Sequence, residues 1–160
     1  RRAAENLSSG MRRKHNIRVA GSILSHTVPL RVRFSEVDSM RVVWHGEYVR
    51  YFEDGREAFG EHYAGFSYPE IYASGYTTPI VELHVDYKLP LRIADRAIVE
   101  TRYIPTEAAK ICFEYTVPRA ADNAVVATGT STQVFVNEAG QLELTIPEFF
   151  RKWQQRWNVR

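Results

Sequence analysis

Four runs of alternating residues crowd the second half of the chain, and only one long helical pattern precedes them. Val81, Leu83, Val85 and Tyr87 alternate with Glu82, His84 and Asp86. Ala109, Ile111, Phe113, Tyr115 and Val117 alternate with Lys110, Cys112, Glu114 and Thr116. A period of two places one side-chain set on one face of a sheet. The alternation around 98–104 is looser, and 124–136 is long and β-branched, with Gly129 and Ser131 on one face. Pro105 to Ala108, Pro118 to Asn123 and Asn137 to Gly140 supply turn chemistry between them. Short turns between such runs predict an antiparallel meander, which 141–146 extends briefly. Upstream, Val28, Leu30, Val32 and Phe34 alternate with Pro29, Arg31 and Arg33, predicting a strand that buries one face. Pro29 confines that strand to an edge, or itself to the strand's start.

Between that strand and the four others, residues 45–63 carry Val49, Phe52, Arg56, Phe59 and Tyr63 at helical spacing, with Tyr48 and Tyr51 beside them. Gly55 and Gly60 are poor helix formers, so within this helix they predict close approach to another backbone. Gly65 marks the stop, and 68–74 reads as a short second helical turn. Thr145-Ile-Pro-Glu148 has the form of a capping box, opening a terminal helix with Phe150, Trp153 and Trp157 on one side. A helix of about 17 residues is ~25 Å long, and strands of 8–10 residues span ~27–33 Å. One helix therefore fits along the concave side of one curved sheet. The expected fold is α+β: a hotdog fold, with a long central helix wrapped by a five-stranded antiparallel sheet and a C-terminal helix.

The chain of 160 residues, 44% hydrophobic and 12% aromatic, is long enough for one domain with its own core. No apolar run approaches the ~20 residues of a membrane helix. Cys112 is the only cysteine, so no intrachain disulfide can form, and a cytoplasmic location is expected. The net charge of +2 is unevenly spread. Residues 1–26 hold six Arg and Lys against Glu5 alone, which leaves 15 basic and 18 acidic residues in the remainder. Residues 1–26 are accordingly set aside as a basic leader or extension, and 27–160 are taken as the single domain. A mildly acidic domain argues against a nucleic-acid surface. No Cys/His metal spacing, glycine-rich phosphate loop or G-x-S-x-G occurs, so neither metal nor cofactor is expected.

The segment F-S-E-V-D-S-M-R-V-V-W-H-G-E-Y (34–48) puts one carboxylate, Asp38, in a turn between strand and helix. Val42, Val43 and Trp44 follow it, then a helix start whose N–H groups favour negative charge. A carboxylate beside an open amide is what attack on a carbonyl requires. This segment resembles the active-site segment of hotdog thioesterases of the 4-hydroxybenzoyl-CoA thioesterase type. That family shows Asp, three residues, two aliphatics, an aromatic, His or Tyr, and a Tyr three further on. Here these are Asp38, Val42, Val43, Trp44, His45 and Tyr48. Tyr87-Lys-Leu-Pro90, followed by Asp95, resembles a second family segment, and the likeness extends over residues 28–138. Glu36 supplies the first acid of the family's acid-x-Asp pair, but Met40 and Arg41 stand where small residues are usual.

The resemblance implies an acyl-CoA thioesterase with no cofactor, working as a homodimer or homotetramer whose sites lie between subunits. It implies Asp38 as nucleophile or general base, and the backbone N–H of His45 as donor to the thioester carbonyl. Val43, Trp44, Gly46 and Tyr48 are then expected to shape the acyl site, and Lys88 and Arg92 to meet coenzyme A phosphates. An isolated Asp in a turn ordinarily just caps it, and the motif is what reverses that reading. Glu53, Asp54 and Glu57 on the helix read mainly as solvated acids, His84 as structurally satisfied and Cys112 as inert. An acyl carrier protein thioesterase and a non-catalytic acyl-CoA-binding module are the alternatives.

Overall fold

The computed structural model describes residues 23–159. The chain runs β1 (Ser25–Arg31), α1 (Glu47–His62), α2 (Tyr68–Ala73), β2 (Tyr76–Thr77), β3 (Ile80–Tyr87), β4 (Arg96–Ile104), β5 (Lys110–Pro118), β6 (Val125–Val134), β7 (Val136–Asn137) and α3 (Glu148–Arg156). Five strands form one antiparallel sheet in the order β1-β4-β5-β6-β3, and β2 pairs with β7 alone. The hotdog arrangement is as expected, but the simple meander is not. Only β4, β5 and β6 are sequential neighbours, whereas β3 pairs with β6. The connection from β3 to β4 therefore crosses from one side of the sheet towards the other.

The core is aromatic because α1 and the sheet present their large residues to each other. Ala97, Val99, Thr101 and Tyr103 of β4 and Ile111, Phe113, Tyr115 and Val117 of β5 are all buried. The loose alternation around β4 is in fact regular, with Thr101 taking an apolar slot. On α1, Tyr48, Tyr51, Phe52, Arg56 and Phe59 are buried, whereas Val49 faces outwards at 36% exposure. Phe52 stacks on Tyr115 at 4.3 Å between ring centres. Full burial of each such side chain contributes about 1.5–3 kcal/mol. A Cβ at Gly55 would fall on Thr101 and Val99 of β4, and one at Gly129 on the Phe52 ring, so helix and sheet meet where side chains are absent. Gly60 instead faces the backbone of Phe66.

Several boundaries differ from expectation. β1 starts at Ser25, and Leu24 is buried with its carbonyl accepting from Tyr103 N–H, so the domain begins inside the stretch set aside as leader. The remainder of that stretch, 1–22, lies outside the described residues. β1 stops at Arg31 and Phe34 opens a 3-10 turn, leaving its ring 80% exposed. No capping box opens α3, since Pro147 itself occupies the cap position without a side-chain bond. Residues 141–146 contribute only an isolated bridge, Val136 to Leu142. The last helix buries Phe150 and Trp153 as expected, and Trp153 and Trp157 donate their indole N–H groups to the carbonyls of Tyr63 and Ala64. That seals the C-terminal end of α1.

Candidate active site

Antiparallel register puts the ends of β1, β3 and β5 and the starts of β4 and β6 at one end of the sheet. Two loops, 32–46 and 88–95, cross that end and bind each other. Val43 N donates to Leu91 O at 2.8 Å, Val42 bridges Arg92, and Val32 exchanges hydrogen bonds with Ala94 and Asp95. Lys88 and Leu89 both donate to Val126 O, which fixes the second loop against β6.

Within the first loop, Asp38 heads a tight turn. Its carbonyl accepts from Arg41 N at 2.9 Å, its N–H donates to Val42 O at 2.9 Å, and its Oδ1 accepts from Met40 N at 2.8 Å. Arg41 takes the left-handed conformation this turn needs, with φ 64°. Asp38 therefore caps its turn with one oxygen, and among the described residues the other oxygen accepts no hydrogen bond. Capping and chemistry are compatible here, because a carboxylate has two oxygens.

The helix start differs from the sequence reading in a way that bears on His45. Helix α1 begins at Glu47 with Gly46 as N-cap and no side-chain cap, so His45 sits in the turn before the first helical residue. Trp44 O accepts from Glu47 N at 2.9 Å and Gly46 O from Val49 N at 3.3 Å. Among the described residues, no acceptor takes the N–H of His45. An unclaimed amide at an uncapped N-terminus is a donor site for developing negative charge.

These parts share a cavity of about 310 Å³, a volume within the range of small-ligand clefts. Asp38, Val43, His45, Tyr48 and Lys88 line it, together with Met40, Tyr87 and Pro90. Tyr48 is buried, and burial with the neighbouring Tyr87 pushes its phenol up to about 12, so it stays a neutral wall and donor. Three residues expected at the site do not line it. Trp44 is half-exposed and lies across Gly46, whose missing Cβ makes room for the indole rather than for a ligand. Arg92 joins the site only through its backbone bridge to Val42. Glu53 and Asp54 border a separate hollow of about 920 Å³ between β1 and α1, away from Asp38. His84 pairs with Asp86 on the outer face at 3.1 Å, the structural role expected of it.

Tyr87 also lines this cavity, where the sequence reading did not place it. Its hydroxyl donates to His45 O at 2.7 Å, and its ring meets Tyr48 edge-on at 5.2 Å. The strand alternation that groups Tyr87 with Val85 was a signal for it, since Val85 pairs with inward-facing Gly129. Met40 fills the position where a small residue was noted as usual, and it forms part of the cavity wall.

The sequence profile of the thioesterase-like superfamily matches residues 32–154. The chain belongs to that superfamily. It is 27% identical over 124 residues, 78% of its length and 88% of the relative's, to a protein of Bacillus subtilis named as a candidate acyl-CoA thioesterase, YneP. It is 37% identical over 90 residues to the chloroplastic acyl-acyl carrier protein thioesterase ATL3 of Arabidopsis thaliana, over 56% of its own length and 47% of that protein's. A DHNA-CoA thioesterase of Staphylococcus aureus shares the fold with a TM-score of 0.75 at 21% identity, covering 84% of this chain and 89% of that one. The protein is a hotdog-fold thioester hydrolase. Among its described residues, no helix is long and apolar enough to cross a membrane.

Proposed function

We propose that the protein hydrolyses an acyl- or aroyl-CoA thioester to the free acid and coenzyme A, with Asp38 and the His45 amide as the working pair. The observation that carries this reading is that Asp38, His45, Tyr48 and Lys88 line one cavity at the uncapped start of α1. The thioester carbonyl oxygen lies against the His45 N–H, which stabilises the charge it gains. On one route Asp38 takes a proton from water as the water oxygen adds to the carbonyl carbon; the carbon–sulfur bond then breaks, and the leaving thiolate takes that proton from Asp38. On the other, the free oxygen of Asp38 adds and the carbon–sulfur bond breaks, leaving a thiolate and an acyl–Asp38 anhydride. Water then cleaves the anhydride to the free acid and the Asp38 carboxylate, and the proton set free goes to the thiolate. Lys88 at the rim offers its ammonium to the anionic end of the coenzyme.

A homodimer is the working unit of this proposal, with a homotetramer as its doubling. The β3 edge, free among the described residues, supports it, because Val81 and Leu83 remain 53% and 39% exposed on the strand that also carries Tyr87. An apolar unpaired edge invites a second copy.

The test is a hydrolysis panel of short-chain, long-chain and aromatic acyl-CoAs beside an acyl carrier protein thioester. Turnover of at least one acyl-CoA is expected. Turnover of the carrier-protein thioester alone would move the substrate assignment to that partner, and tight binding of acyl-CoA without turnover would make the protein a binding module.

A further inference from the structure

Glu36 does not line the Asp38 cavity, although it stands two residues away. Its carboxylate Oε1 accepts from Arg33 N at 2.8 Å and from the hydroxyl of Tyr51 at 3.1 Å. Its carbonyl accepts from Trp44 N at 2.9 Å. One residue thus holds the loop before Asp38, the loop immediately before His45, and the second turn of α1. Inside that tie the chain is pinched again, where Val37 bridges Val43 and Asp38 N meets Val42 O. The Asp38 turn consequently has little freedom of its own: the 88–95 loop holds its outgoing arm at Val42 and Val43, and Glu36 ties it to the helix.

We infer that Glu36 and Tyr51 form a brace that fixes the distance between the Asp38 carboxylate and the His45 amide. On the hydrolase reading proposed above, they are positioning residues for the reaction, and Glu36 is not a second acid in it. Tyr51 suits the part because it is buried, on the rigid helix, and its ring meets Tyr48 of the cavity edge-on at 5.5 Å. Burial and the facing Glu36 carboxylate hold its phenol far above the ordinary tyrosine range, so it remains a donor to Glu36 at every working pH. Glu36 and Tyr51 border the hollow between β1 and α1, whereas Asp38 and Tyr48 border the other cavity, so the brace stands outside the space where the substrate would lie.

Glu36→Gln, Glu36→Ala and Tyr51→Phe separate this from the alternatives. Glutamine keeps an acceptor oxygen for Arg33 N–H and the phenol but cannot act as an acid or base. It is expected to retain near-wild-type kcat. Alanine removes the tie, and a displacement of the reacting groups by ~1 Å costs on the order of 10²-fold, so kcat falls with KM little changed. Tyr51→Phe breaks only the helix end of the brace and falls between the two. Amide hydrogen exchange at Trp44 reports the brace without any substrate, and it should speed up in Glu36→Ala and Tyr51→Phe. Glu36→Gln as inactive as Glu36→Ala would make Glu36 a catalytic acid and overturn the inference. Wild-type kcat in Glu36→Ala, or unchanged exchange at Trp44 in both variants, would overturn it as well. If the wild-type protein turns over no thioester, the proposed function fails on its own terms, while the exchange data still decide the brace.

Discussion

Tyr87 connects the free edge of the sheet to the candidate site through one hydrogen bond, from its hydroxyl to His45 O. Tyr87→Phe keeps the ring against Tyr48 and removes that bond, which is worth about 0.5–1.5 kcal/mol. The expected outcome is a small loss of thermal stability with a larger fall in kcat, measured on any thioester the wild type accepts. An unchanged kcat would show that the His45 turn needs no such support. That Asp38, Val43 and His45 share one cavity was legible in the sequence because chain neighbours in a tight turn stay neighbours in space, whereas Trp44 of the same segment lies across Gly46 instead. Tyr87 was much less so, since its contact with His45 spans 42 residues and depends on which strand lies at the sheet edge. Phe34 deceived the reading for a related reason. Alternation continues through it, but the loop 32–46 has to leave the sheet to reach the start of α1, and the strand stops at Arg31.

Helix α1 touches the sheet where glycine permits it. Gly55→Ala would press a methyl group onto the Thr101 side chain, whose buried hydroxyl has no partner among the described residues, at a cost of about 1–3 kcal/mol. Thr101→Ala in the same chain should restore most of it, and denaturation of the two single variants and the double variant checks the coupling. Additive losses would contradict this contact. At the other end of α1, His26 of β1 stacks on His62 at 4.4 Å. Burial, and then the charge of His62, lower the pKa of His26 below its ordinary value of 6.5. Folding therefore favours neutral His26, and this contribution is fully present above the ordinary histidine pKa and lost as pH falls through the lowered value. Stability should accordingly decline from about pH 7 downwards, and His26→Phe, which keeps a stacked ring, should flatten that slope. An identical slope in the variant would remove His26 from the account. The elements themselves were readable because aromatic side chains mark their inner faces plainly. Their pairing was less so: β3 and β4 both alternate and are consecutive, and nothing local says that β3 lies beside β6 instead.

At the scale of the whole molecule, β1 and β3 are the outer strands of the sheet among the described residues, and the β3 edge is the more apolar of the two. Leu83→Lys adds charge to a side chain that the single chain leaves partly exposed, so folding should be little affected. Association measured by sedimentation should weaken, and specific activity should fall with it, because Tyr87 lies on the same strand. A fully active monomer of the wild-type protein would contradict this. The central claim, however, is that one carboxylate oxygen beside an unclaimed amide performs the hydrolysis, and Asp38→Asn tests it most directly. Asparagine keeps Oδ1 to accept from Met40 N, so the turn stays capped and only the charge is lost. On the best acyl-CoA substrate, kcat/KM should fall by ~10²–10⁴-fold with the melting temperature nearly unchanged. A kcat/KM equal to that of the wild type would contradict the account.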